Sequence, residues 1–399
     1  MRALVKATHQ GTREHNVRLV MRALAGLGPI SRADIARRTD LTRTTVSDVV
    51  SQLAVAGLVQ EIGRGPSSGG KAPILLQIPR DARQLIGVHV GEGQVQGAIV
   101  NLAGDISHRE RLTLDGRDGD EALARLEELV DRLVRAAVKP PLGIGIGTSG
   151  LVDTSSGTVR WSVHLDWHDL HLGARMQDRT GLPVYVANDS QAAALAEWTF
   201  GRHAPDARGM VVVKVGNGIG AGIIIEDRLY QGDGFGAGEI GHISVADNDL
   251  LCRCGRTGCL ETVASLRAVQ ARIRAITHGA TDTGRLPLAD PGALQLCLDA
   301  FDTGDPRVVE VVLDAGRYLG RMLGHLVGAL DIHDIVLIGS MTAFGEPWLE
   351  AVRSEAHRSA LPVLVDSTRI GLGHLGSDIV ELGAAALLMT SELGLSQAA

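Results

Sequence analysis

Near the N-terminus, hydrophobic positions recur at helical spacing three times in quick succession. Val17, Val20, Met21 and Leu24 share one face of a helix predicted over roughly residues 12–25. A second helix starts at Ser31, where Ser31 and Asp34 have capping-box spacing, and runs to about Arg38 before Asp40-Leu41 breaks it. A third starts near Thr42, carries Val46, Val49, Val50 and Leu53 on one face, and ends at Gly57. Two short strand-like segments, Leu58–Ile62 and Ile74–Ile78, flank a Gly-rich basic loop, Gly63–Pro73. A short helix, a tight turn, a second helix and a two-stranded wing predict a winged helix-turn-helix. The third helix would then enter a DNA major groove. Arg43, Thr44, Thr45 and Ser47 near its N-terminal end are the candidate contacts, with Arg64 and Lys71 of the wing on phosphate or in a minor groove.

Beyond residue 80 the pattern changes. Gln84–Val90 and Gln94–Asn101 read as strands around Gly91-Glu-Gly93, and an amphipathic helix follows at about Asp120–Val138. Leu142–Gly147 and Val184–Ala187 read as strands, the latter leading into a helix at about Ser190–Phe200. Val211–Val215 and Ala221–Glu226 flank the loop Gly216–Gly220. A long helix (Val308–Leu330), a strand (Ile335–Ile338) and a closing helix (Glu381–Leu393) complete the alternation, which predicts an α/β body. The expected division is a head, residues 1–80; a first α/β lobe, 81–187; and a second, 188–380. The closing helix, 381–399, is expected to pack back on the first lobe.

Composition adds two constraints. The 399 residues are 45% hydrophobic and 21% charged, which fits a soluble globular chain of two or three domains and excludes disordered, collagen-like and disulfide-scaffold classes. The net charge of −7 hides an asymmetry: residues 1–80 hold 12 Lys and Arg against 5 Asp and Glu, and the remainder 27 against 41. A basic head on an acidic body points to a polyanionic partner for the head, double-stranded DNA. Met1–Asn16 has no apolar signal core, and no uncharged apolar run reaches membrane-spanning length. The expectation is a cytoplasmic protein with no membrane partner.

The strongest chemical signal is Cys252-Arg-Cys254-Gly-Arg-Thr-Gly-Cys259, with His242 ten residues upstream. Three thiolates and one imidazole make a tetrahedral zinc set with no open position, so a structural Zn2+ is expected. Cys297 stands alone in a helical pattern and reads as core. Glu239 precedes His242 by three residues and Glu261 follows Cys259 by two, so the metal would fix the loops that carry both. Asn188-Asp189 ends a strand, where α/β sheets bind ligands. An Asn, an Asp and two Glu suit a polyhydroxylated ligand, because carboxylates accept hydrogen bonds from hydroxyls. Asp189 could instead cap the helix that follows.

At these residues the chain resembles the ROK family (repressors, open reading frames and sugar kinases). The carrying motifs are Ile144–Asp153, Ala187–Glu197, Gly216–Gly222, Gly238–Ile243 and Cys252–Glu261, and the Ser-Ser-Gly-Gly-Lys-Ala-Pro stretch ending at Pro73 looks like the wing of the family's regulators. The resemblance implies a two-lobed actin-like, ribonuclease-H-like body with a sugar cleft between the lobes. It implies zinc at His242, Cys252, Cys254 and Cys259, and sugar contacts at Asn188, Asp189, Glu239, His242 and Glu261. Asp189 matches the base of the kinases. Departures from the kinase pattern are equally specific. The Asp-x-Gly-Gly-Thr that serves ATP phosphates reads His89-Val-Gly-Glu-Gly93, Asn217 stands where Thr is usual, Ile338-Gly-Ser-Met341 lacks a Gly-Gly run, and Val163-His-Leu165 replaces a Pro-Asn-Leu sugar loop. Phosphoryl transfer depends on positioning and charge stabilisation, which these changes oppose. The implied protein is not an enzyme but a sugar-responsive repressor. It would bind an inverted-repeat operator as a homodimer or homotetramer and take a sugar or sugar phosphate in the cleft. An ATP-dependent sugar kinase with a DNA-binding head, and a regulator controlled by a protein partner, are the alternatives.

Overall fold

The apolar spacing at the N-terminus does produce three helices: α1 (His9–Leu27), α2 (Arg32–Thr39) and α3 (Arg43–Val55). The computed structural model describes residues 9–66, 72–203, 207–278 and 292–395. Ser31 caps α2: its Oγ accepts from the Asp34 N–H and donates to the Asp34 carboxylate at 2.7 Å. Asp40 ends the helix in the left-handed region, φ 54. Thr42 caps α3 by accepting from the Thr45 N–H at 3.1 Å. Val46, Val49, Val50 and Leu53 are buried in one apolar cluster with Val20, Met21, Leu24 and Ile35. Three short strands, β1 (Ile30–Ser31), β2 (Gln60–Arg64) and β3 (Ile74–Gln77), form an antiparallel sheet in the order β1-β3-β2. The two-residue strand β1 is too short to leave a periodic trace.

The body is one pattern built twice. β4 (Gln84–Val90), β5 (Gln94–Asn101) and β6 (Ile106–Thr113) form an antiparallel meander, and β7 (Ile144–Thr148) and β11 (Val184–Asn188) add in parallel beyond β4. Between them, β8 (Leu151–Asp153), β9 (Thr158–Ser162) and β10 (Trp167–Leu170) make a small side sheet. The second large sheet repeats the plan: β12 (Gly209–Val215), β13 (Ile219–Ile225) and β14 (Arg228–Tyr230) meander, and β15 (Asp334–Ile338) and β16 (Arg369–Leu372) run parallel beyond β12. β6 alternates half-buried and exposed residues along an edge, a weaker signal than the buried strands around it. Helices cover the outer faces: α4 (Gly119–Ala136), with α5 (Leu172–Thr180) beside it, on the first sheet, and α10 (Pro306–Leu330) and α11 (Gly345–Ser359) on the second.

The inner layer is exchanged. α6 (Asp189–Phe200) leaves the first sheet and packs on β12 and β13 of the second. α13 (Ile379–Leu393) leaves the second sheet and packs on β4 and β7 of the first, against α6. Two glycines allow this closeness. A Cβ on Gly145 would overlap the Ala384 carbonyl, and a Cβ on Gly383 would overlap that of Ala192. At its end α13 meets the N-terminal unit, where Arg22 Nε donates to the Gly394 carbonyl at 3.1 Å. Among the described residues no helix is long and apolar enough to cross a membrane.

Candidate functional site

The period of two along a strand sends alternate residues to opposite faces. On β12, Val211, Val213 and Val215 join the outer core under α10, which leaves Met210, Val212 and Lys214 facing α6. On β4, Ile86, Val88 and Val90 face α4, which leaves His89 on the inner side. Both strands therefore aim a basic side chain at the start of α6. Asn188 is the cap there: its Oδ1 accepts from the N–H groups of Ser190 (2.8 Å) and Gln191 (3.3 Å), and its Nδ2 donates to the Gly150 carbonyl (2.9 Å). Asp189 is thereby free of capping, contrary to the capping alternative. It is buried and pairs with Lys214 Nζ at 2.5 Å, with His89 Nε2 at 3.9 Å and the Ser190 hydroxyl donating at 3.2 Å.

Burial alone would raise the Asp189 carboxyl. The Lys214 ammonium, with His89 and the hydrogen bonds of Lys214 and Ser190, overrides burial and brings it down to about 2. His89 is lowered as well, in its case with burial as the main cause. Burial first, then the Lys214 charge, push it down to about 4 against the pull of Asp189. Its Nδ1 lies 3.3 Å from the Gln96 side-chain amide nitrogen, so Nδ1 accepts and the proton sits on Nε2.

These shifts set a pH dependence. Between pH 6.5 and about 4 the unfolded chain protonates His89 and the folded chain does not. Stability is full above that window and falls as pH drops through it, by on the order of 3 kcal/mol from this group. Asp189, with a depressed folded value, adds a further loss only below about pH 4. As pH falls from about 7 to about 4.5, the urea midpoint of His89→Gln should rise relative to that of the parent, the opposing slope from Glu239, raised to about 7, being common to both. The same pH profile in variant and parent would contradict this assignment.

Two more carboxylates face the same space. Glu239 is pushed up to about 7, first by burial and then by the charges of Asp189 and Glu261. Glu261 opens the short helix α7 (Glu261–Ala264), and its Oε2 accepts from the Ile219 N–H at 3.1 Å. The structure thus brings Asp189, Glu239 and Glu261 within electrostatic range, with Asn188 at their edge. Such a group of acceptors is suited to a ligand rich in hydroxyls.

His242 ends a single helical turn, Ile240–His242, beside this cluster. Its Nε2 lies 4.0 Å from Glu239 Oε2, and its Nδ1 lies 3.7 Å from Cys252 Sγ. The ligand atoms of His242, Cys252, Cys254 and Cys259 all fall within 4.8 Å of one another. Gly255 and Gly258, both in the left-handed region, make the turns of the loop, and Asn248 Nδ2 ties it down by donating to the Cys259 carbonyl at 3.0 Å. Burial raises the Cys252 thiol and takes Cys259 up to about 12. Only a bound cation would make thiolates stable there, and three sulfurs with one imidazole fit a thiophilic divalent metal. One imidazole nitrogen faces the sulfurs and the other faces Glu239, so His242 can join the metal site to the carboxylate cluster.

In the N-terminal unit, Arg43 and Thr44 are exposed at the start of α3, and Arg64 is exposed at the end of β2. Thr45 and Ser47 are half-buried. The Thr45 hydroxyl lies 2.9 Å from that of Thr42, which makes it a capping partner first. Lys71 lies outside the described residues. Sequence reasoning did not find Lys214, although one signal was present: a single cation in the apolar strand Met-Val-Val-Val-Lys-Val of a chain with four lysines. Nor did it find Arg253 and Arg267, whose partners come from distant segments.

Comparison with known proteins agrees with this geometry. Residues 85–391 match the ROK family. A xylose repressor of Caldicellulosiruptor bescii is 29% identical over 391 residues, spanning 96% of this chain and 98% of the relative. An N-acetylglucosamine repressor of Escherichia coli O6:H1 is 29% identical over 360 residues, 88% of each chain. The crystal structure of a ROK family transcriptional regulator, a homolog of the E. coli MLC protein, superposes with a TM-score of 0.82 at 28% identity, covering 96% of this chain and 98% of that one. A ROK glucokinase from Streptomyces griseus, solved with glucose and AMPPNP, gives 0.65 at 27% identity, covering 76% of this chain and 98% of the kinase. The overall fold is thus shared with these proteins, and the chain belongs to the ROK family.

Proposed function

We propose that this chain is a sugar-responsive transcriptional repressor. Residues 1–80 form a winged helix-turn-helix head that binds double-stranded DNA. Residues 81–187 and 188–380 form the two lobes of a sugar sensor, with 381–399 closing the first. Asn188, Asp189, Glu239, His242 and Glu261 take the sugar or sugar phosphate, and a structural Zn2+ at His242, Cys252, Cys254 and Cys259 fixes the loops carrying the last three. The observation that carries the reading is the reach of the similarity. The xylose repressor matches 96% of the chain, head included, whereas the glucokinase accounts for 76% of it. The basic charge of the head and the exposed Arg43 and Thr44 at the start of α3 supply what a major groove requires.

Asp189 supports sensing over phosphoryl transfer. A general base must be able to take a proton, and the ion pair with Lys214, with His89 beside it, lowers this carboxyl and weakens it in that role. A physical connection also runs from sugar to head. α6 starts at Asp189, α13 packs along α6, and the residue following α13 accepts from Arg22 of α1. A ligand that favours one lobe arrangement thereby shifts the placement of two heads on an inverted repeat, by no more than its differential affinity for the two states.

The test is operator binding by the full-length protein on a fragment from its own gene neighbourhood, with xylose, N-acetylglucosamine and their phosphates. ATP consumption is followed in parallel. One sugar should change the affinity without ATP turnover. ATP consumed with any sugar, while DNA binding ignores that sugar, would instead identify a kinase. Arg43→Ala should weaken operator binding by roughly tenfold or more and lower the salt slope by about one if the side chain also neutralises a phosphate. Unchanged affinity in the variant would remove α3 from the groove.

A further inference from the structure

Glu92 stands at the tip of the β4–β5 turn, and its side chain reaches across to the second lobe. Arg267 Nη2 lies 2.8 and 2.9 Å from its two oxygens, Asn217 Nδ2 donates to Oε2 at 3.2 Å, and Arg253 Nη1 to Oε1 at 3.3 Å. His164 Nδ1 lies 2.6 Å from Oε1 and 2.8 Å from Arg253 Nη1, between the carboxylate and that guanidinium. The four donors come from the β9–β10 turn, the β12–β13 turn, the cysteine loop and the start of α8 (Leu266–His278). No local spacing brings them together; only the folded chain does.

The group is built more heavily than one carboxylate needs. Arg267 is 2% exposed, so a guanidinium has been taken out of water to serve it, and its buried Nε has no hydrogen-bond partner. Two guanidiniums, an imidazole and an amide converge on two oxygens carrying one charge. A phosphate monoester offers three oxygens and between one and two charges, and matches such donors better. Glu92 is held in their place by its own backbone, at an effective concentration no free anion easily rivals.

The structure assigns to His164, Asn217, Arg253 and Arg267 an anion socket, which Glu92 fills as a tethered latch between the lobes and which a phosphate group occupies once Glu92 is displaced. The latch lets the cleft close with no nucleotide or phosphate bound. It holds whether or not the head binds DNA and whichever sugar enters, so its failure would leave the repressor reading untouched.

Chemical rescue tests it on the full-length, metal-loaded protein. Glu92→Ala is melted in chloride and in inorganic phosphate of matched ionic strength, and phosphate binding is measured by calorimetry. In chloride the variant should melt below the parent. Phosphate should raise its melting temperature by more than it raises the parent's, with about tenfold or more tighter binding than the parent shows. Adding Arg267→Met should remove the gain. Glu92→Gln, which keeps the side-chain volume and removes the charge, replaces the alanine variant if that fails to fold. A hexose 6-phosphate and ATP run beside inorganic phosphate, and the tightest of the three identifies the carrier of the group. Equal phosphate response in variant and parent, or a gain that survives Arg267→Met, overturns the socket.

Discussion

On the proposed reading, Cys259→Ser should cost the protein the Zn2+ of the His-Cys-Cys-Cys set and its sugar response while leaving operator binding intact. The sulfur is fully buried, and its carbonyl anchors Asn248 and Thr262 as well. Structural zinc in Cys/His sites contributes about 10 kcal/mol or more to the ordered state, and losing one ligand forfeits much of that. The loop from His242 to Cys259 would come loose at both ends, taking Glu239 and Glu261 out of range of Asp189. The head residues Val20, Ile35, Val46 and Val50 pack in an apolar cluster shared with α6 and α13, to which no residue of the cysteine loop belongs. The expected result is zinc content well below one per chain, a lower melting temperature, and operator affinity near that of the parent but unaffected by the sugar that modulates the parent. Full zinc content in the variant, or a sugar response that survives chelation, would show that these four residues do not form the metal site.

Gly145→Val should prevent stable folding. Its Cβ would meet the Ala384 carbonyl, backbone against backbone, where no rotamer offers relief. Separating β7 from α13 to make room would open the layer in which α13 also meets α6. A cost on the order of 3 kcal/mol or more is expected, a large share of the stability of an ordinary domain. Gly328→Ala is the matched control. Gly328 lies exposed in α10 with nothing near its missing Cβ, so the change should add a few tenths to about 1 kcal/mol through helix propensity. Soluble expression and thermal melting of both variants check the pair. Parent-like melting of Gly145→Val would mean that the inner layer is looser than its geometry.

The difference between these glycines also marks what was legible in the sequence. Periodicity located α3 through Val46, Val49, Val50 and Leu53, and β4 and β5 through their apolar runs, because burial on one face writes itself into local order. The metal ligands were legible for a related reason: three cysteines and a nearby histidine must be close in the chain to wrap one ion. The partners of Glu92 were not, because residues 164, 217, 253 and 267 meet only through tertiary packing. Glu92 itself stood only as part of a departure from the kinase phosphate loop, and its partners lie in segments that folding brings to it. Asn188 and Asp189 show the same limit at shorter range. Asp189 could have capped α6 as far as the sequence shows, but Asn188 makes the capping hydrogen bonds and Asp189 pairs with Lys214 on the facing strand.

The exchange of α6 and α13 has a consequence for synthesis. As the chain leaves the ribosome, β4, β5 and β7 emerge well before the helix that covers their inner face, which follows the whole second sheet. Leu85, Ala98 and Val100 must wait for α13 before that face is closed. Contacts of such long sequence separation form slowly and leave apolar surface open in the meantime. A product that stops before α13 therefore leaves the inner face of its first sheet open and has no Gly394 carbonyl to meet Arg22. Docking of the N-terminal unit is thus tied to the covering of the first sheet, because α13 and the residue after it serve both.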